Sequence, residues 1–139
     1  MRILVWAVLL LSACSGGSDA VIANPWVRAM PPGSAMTAAY FDFSNRTGSD
    51  QTIVAASSDA FELVEIHRTI TADGISRMQQ EDAVVVAPGE TVSFAPQGRH
   101  LMLMRPRGTI QPGQVIGFDL HLDDGQIVTF SAEVRQTPK

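Results

Sequence analysis

Tight-turn signals punctuate this chain at short intervals, and the segments between them are too short and too β-rich for a helical fold. Asp73-Gly74, Pro88-Gly89, Gln97-Gly98, Pro112-Gly113 and Asp124-Gly125 each offer a residue pair suited to a turn. Between and before them lie runs 38–43, 52–55, 61–66 and 84–86, rich in β-branched and aromatic side chains. From Val21 onward no sustained helical period is present. The last two runs alternate most cleanly: Phe118, Leu120 and Leu122 recur at every second position, and so do Val128, Phe130, Ala132 and Val134 after Asp124-Gly125. That pattern predicts a hairpin with one apolar face, with His121 turned outward beside Asp119 and Asp123. Many short strands at this spacing predict an all-β sandwich or small Greek-key barrel.

Composition supplies a core and excludes some partners. Apolar residues make up 45% and charged residues 17%, enough for one packed domain, expected over residues 21–139. The formal net charge is −4 and the basic residues are scattered, so no concentrated basic face for nucleic acid is expected. The first residues read differently. Arg2, an apolar run over 3–11 and Ser12-Ala13 make a short export signal over residues 1–13, too short to span a bilayer as a permanent helix. Leu11-Ser12-Ala13-Cys14 resembles the lipobox of bacterial lipoproteins, which predicts acylation at Cys14, anchoring to a bacterial membrane and a flexible tether over 14–20. Because Cys14 is the single cysteine, the domain holds no internal disulfide, as suits a periplasmic protein stabilised by its core.

The chemistry sits in His67, ten residues, Met78, twenty-one residues, then His100-Leu101-Met102. Imidazole nitrogens with thioether sulfurs, and no thiolate, suit Cu(I) and suit Zn, Mg or Ca poorly. A methionine alone is more often core filler, and a lone histidine more often structural; the joint spacing points to a metal. In a strand, His100 and Met102 project to one face while Leu101 and Leu103 project into the core. Asp73-Gly74 can fold Met78 back toward His67. Met104 shares the face of Met102 and is expected to pack behind it. Met30 and Met36 lie in a Pro/Gly-rich stretch that could carry a methionine loop, and Trp26 is expected to anchor the core or a sheet edge. A blue-copper electron carrier would need a cysteine ligand. No nucleophile-base pair, phosphate loop or paired acids suggest an enzyme.

At these residues the chain resembles the periplasmic PCu(A)C copper chaperones. The metal spacing carries the resemblance, together with Pro25-Trp26-Val27-Arg28, Met30-Pro31-Pro32-Gly33, Ala38-Ala39-Tyr40-Phe41, Val86-Ala87-Pro88-Gly89 and the run from Gly98 to Met104. It extends over about residues 21–134. One departure is Arg68, where many members carry a Met after the first His, and this is expected to place a cation beside the site. The resemblance implies a cupredoxin-like β-sandwich that binds Cu(I) near its surface and is not an enzyme. It further implies delivery to an acceptor, a dithiol chaperone or an oxidase subunit, in assembly of the binuclear copper centre of cytochrome c oxidase. A periplasmic copper storage or resistance protein would use the same ligands.

Overall fold

The computed structural model describes residues 19–137; the expected signal segment and Cys14 lie outside the described residues. The strands are β1 (Ala20–Arg28), β2 (Met36–Asn45), β3 (Gln51–Ser57), β4 (Phe61–Ala72), β5 (Ile75–Gln80), β6 (Val84–Val86), β7 (Thr91–Phe94), β8 (Arg99–Pro106), β9 (Val115–Leu122) and β10 (Ile127–Arg135). No helix occurs among the described residues, in line with the expected all-β class. The strands form one sheet of ten in the order β5-β4-β8-β7-β2-β1-β10-β9-β3-β6. β2 is shared: residues 36–39 pair with β8, and residues 41–44 pair with β7.

One side of this sheet closes over a single core. Phe41, Phe43, Phe61, Phe94 and Phe118 are fully buried there with Leu101, Leu103 and Leu120. Phe41 stacks on Phe94 at 4.3 Å between ring centroids and tilts against Phe130 at 4.8 Å. Full burial of a side chain of this size contributes about 1.5–3 kcal/mol, so the core alone can hold a domain without cross-links. The expected final hairpin is present as β9–β10, with Phe118, Leu120, Leu122, Val128, Phe130, Ala132 and Val134 all inward. His121 lies out of phase with them, only partly exposed, and its Nε2 sits 3.0 Å from the Ser57 hydroxyl.

β4 is longer than its apolar run suggests. It continues through Thr69, Ile70 and Thr71, whose branched side chains favour the strand, so His67 stands in mid-strand rather than at its end. The β4–β5 hairpin then turns at Asp73 (φ 53°) and Gly74 (φ 75°). Two successive positive φ values define a type I′ turn, whose twist matches the flanking strands. That turn sets the register at Ala72 opposite Ile75, hence Thr69 opposite Met78 and His67 opposite Gln80. Two placements differ from expectation. Met36 begins β2 rather than lying in a loop, and Met30 packs half-buried against the core. Trp26 sits on β1, interior to the sheet between β10 and β2, with its ring on Tyr40 at 4.7 Å.

Candidate metal centre

β8 lies between β4 and the first half of β2, and its alternation sorts its side chains in two. Leu101 and Leu103 point into the core at 0% exposure, as expected. His100, Met102 and Met104 point to the opposite face. Register extends that face sideways: His67 stands directly opposite His100, Glu65 opposite Met102, and Leu63 opposite Met104. On β2, Ala38 faces Met102 and Met36 faces Met104. Met78 is the diagonal neighbour of His67 through the β5 register. All four expected ligands therefore share one face of the sheet, centred on His67, to which Met102 and Met78 are both diagonal. Diagonal neighbours stand about 7–8 Å apart at Cα, within reach of long side chains.

The two imidazoles have fixed tautomers. His67 Nε2 lies 2.7 Å from Glu65 Oε2, and His100 Nδ1 lies 3.1 Å from the Gly98 carbonyl oxygen. A carbonyl and a carboxylate only accept, so each of those nitrogens carries the proton. The nitrogens left with lone pairs, His67 Nδ1 and His100 Nε2, are buried and have no hydrogen-bond partner. Buried polar atoms without partners cost about 1–3 kcal/mol each and call for an explanation. Their ring centroids are 6.0 Å apart. Metal–imidazole bonds of about 2.0–2.1 Å would put two rings on one ion at roughly this separation, so the orphaned nitrogens fit a shared metal. Burial holds the His100 imidazole below its ordinary pKa; the Gly98 hydrogen bond opposes this, and nearby His67 adds to it. His100 thus stays neutral and able to coordinate into mildly acidic solution.

The thioethers divide by exposure. Met102 is 7% exposed and His100 4%, whereas Met78 is 62% exposed on the edge strand β5. The sheet thus holds His100 and Met102 in a dry wall, half-covers His67 and offers Met78 to solvent. Among the described residues no group of three or more His, Cys, Asp or Glu is placed to hold a metal ion. The donors that share the face with the two imidazoles are the thioethers of Met78, Met102 and Met104, which are soft.

Two features went unread in the sequence. Glu65 belongs to the site, two residues before His67 on the same face, a position that strand alternation reveals once His67 is placed. A file of rings also crosses the face, Trp26 on Tyr40 and Tyr40 at 6.5 Å from His100, but only the β1–β2–β8 pairing reveals it. The expectation for Arg68 is corrected. Alternation turns it to the face opposite His67, where it stands level with Arg99, and both reach Glu81, at 3.9 Å for Arg68 and 2.5 Å for Arg99. Its charge is directed away from the ligands.

The model of the family "Putative lipoprotein LpqE-like" matches residues 20–134. The chain belongs to that family. A relative, "Putative lipoprotein Lxx21020" of Leifsonia xyli subsp. xyli, is 33% identical over 115 residues, covering 82% of this chain and 68% of the relative. "Uncharacterized protein RP573" of Rickettsia prowazekii is 32% identical over 89 residues, covering 63% of this chain and 49% of that protein. Among solved structures, "Copper-bound PCuAC domain from PmoF2" superposes with a TM-score of 0.71 at 24% identity, covering 86% of this chain and 94% of that one. "Solution structure of CuI-DR1885 from Deinococcus Radiodurans" superposes with a TM-score of 0.69 at 23% identity, covering 89% and 83%. The fold is that of the PCu(A)C domains, cupredoxin-like, as the sequence resemblance implies.

Proposed function

We propose that this protein is a lipid-anchored, periplasmic Cu(I) metallochaperone that binds the ion through His67, Met78, His100 and Met102. The observation that carries the reading is the pair of buried, partnerless lone-pair nitrogens on facing strands, with thioethers on the same face. Copper in the similar PmoF2 and DR1885 domains supports it. The charge balance agrees. Four neutral ligands leave the ion its single positive charge, and the Glu65 carboxylate two residues from His67 offsets it, reducing the cost of a cation against a dry wall. Glu65 also holds His67 in the tautomer that coordinates through Nδ1, the role outer carboxylates play at metal-bound histidines.

Transfer follows from the ligand set. No thiolate holds the ion, so a dithiol acceptor should draw it away, and the exposed Met78 is the natural first point of exchange. By the PCu(A)C resemblance the acceptor belongs to assembly of the binuclear copper centre of cytochrome c oxidase. Mixing the Cu(I)-loaded protein with a periplasmic dithiol acceptor and separating the two should find the copper on the acceptor. Copper retained here against excess acceptor would instead make the protein a copper store. The anchor rests on the lipobox at Cys14: Cys14→Ser should abolish incorporation of labelled palmitate while leaving copper binding intact, and equal labelling of both forms would refute it.

A further inference from the structure

Five methionines occur among the described residues, four of them in strands: Met36, Met78, Met102 and Met104. Register places all four on the ligand face. The core face of the same strands is built from Ala39, Phe41, Ile66, Leu101 and Leu103, with no thioether. Methionine used as a gap-filler would be expected in the core, where Met30 outside the strands packs; the four strand methionines are segregated to the side that carries the lone pairs.

The proposed centre uses only Met78 and Met102. Met36 and Met104 stand directly opposite each other across β2 and β8, one rung beyond the Ala38–Met102 rung. Directly opposed side chains have Cβ atoms about 4.5–5.5 Å apart. Two flexible thioethers at that spacing can place both sulfurs on one two-coordinate monovalent ion. The neighbour of Met104 on β4 is apolar Leu63, while Glu62 projects to the other face, where it lies 4.0 Å from Arg105. Sulfur is thus the only donor the side chains of that rung offer. Exposure falls in order from Met36 at 49%, through half-buried Met104, to Met102 at 7%. The thioethers form a file leading from solvent to the dry wall of the centre.

We infer that Met36 and Met104 form a second, thioether-only site for a soft monovalent cation, an entry station that passes the ion through Met102 to His67 and His100. The station stands on its own residues; the onward passage rests on the proposed copper centre. The probe is Ag(I), soft, monovalent and inert to redox change, titrated into the full chain in detergent with methyl-labelled methionine and followed by NMR. The His67 and His100 ring signals should respond to the first equivalent and the Met36 and Met104 methyls to the second. The double variant Met36→Leu with Met104→Leu should bind the second equivalent at least tenfold more weakly and load the histidine centre several-fold more slowly from limiting Ag(I). Met36 and Met104 methyls that stay still at two equivalents, or a double variant that still takes two, would overturn the station. An unchanged loading rate would remove its entry role. Silent histidine rings with responding Met36 and Met104 would overturn the copper centre and leave the station standing.

Discussion

At the centre of β8 the two faces are both dry and chemically opposite. Leu101 and Leu103 are sealed in the core, and on the reverse His100 and Met102 are almost as completely covered. Burial on the first side is its own reward, since apolar surface leaves water. On the second side it strands lone pairs, at His100 Nε2 and at His67 Nδ1 across the rung. Similar burial with opposite bookkeeping distinguishes a wall that stabilises the fold from one that waits for a ligand.

The sharpest way to break this comparison is to substitute the two sides separately. Leu101→Ala removes core packing and should cost about 2–5 kcal/mol of unfolding free energy, read by urea denaturation, while the folded fraction keeps its copper stoichiometry. Met102→Leu conserves volume and should cost less than about 1.5 kcal/mol, yet weaken Cu(I) binding in competition with a chelator. Equal losses of stability from both would mean that the reverse face is a second core. His100→Ala should weaken Cu(I) at least a hundredfold, more than the 10–100-fold typical of losing an outer partner. Glu65→Gln falls in that lower range, because the amide oxygen still accepts from His67 Nε2 but the charge is gone, and Glu65→Ala should be worse. If Glu65→Gln matches the natural protein, the carboxylate contributes no charge, and if Glu65→Ala matches it too, it does not hold the tautomer either.

The smallest expected effect is on pH. Burial favours the neutral form of His100 in the folded state, so as pH falls the unfolded chain takes up the proton first, near 6.5. The contribution is present above about 6.5 and is lost as pH drops below it toward the depressed folded value. Unfolding of the metal-free protein should show this decline between neutral and mildly acidic pH, and His100→Gln should flatten it.

What was legible in the sequence is what strand geometry makes local. Alternation puts His100 and Met102 against Leu101 and Leu103, and Asp73-Gly74 sets the hairpin that carries Met78 back to His67, because side-chain direction and a two-residue turn depend on adjacent residues. The same rule applied to β4 places Glu65 with His67 and sends Arg68 to the other face, so both positions follow from strand alternation once His67 is placed. The β2–β8 pairing was not legible. It joins residues more than sixty apart in the chain, is chosen by closure of the whole sheet, and alone sets Met36 against Met104 and Tyr40 near His100.

The most direct test of the account is X-ray absorption on the protein loaded with one Cu(I). Two imidazole nitrogens and at least one thioether sulfur should surround the ion, and Met102→Leu should reduce the sulfur scattering while the nitrogen shell remains. A shell of nitrogen and oxygen alone, unchanged in that variant, would contradict a centre built on this face of the sheet.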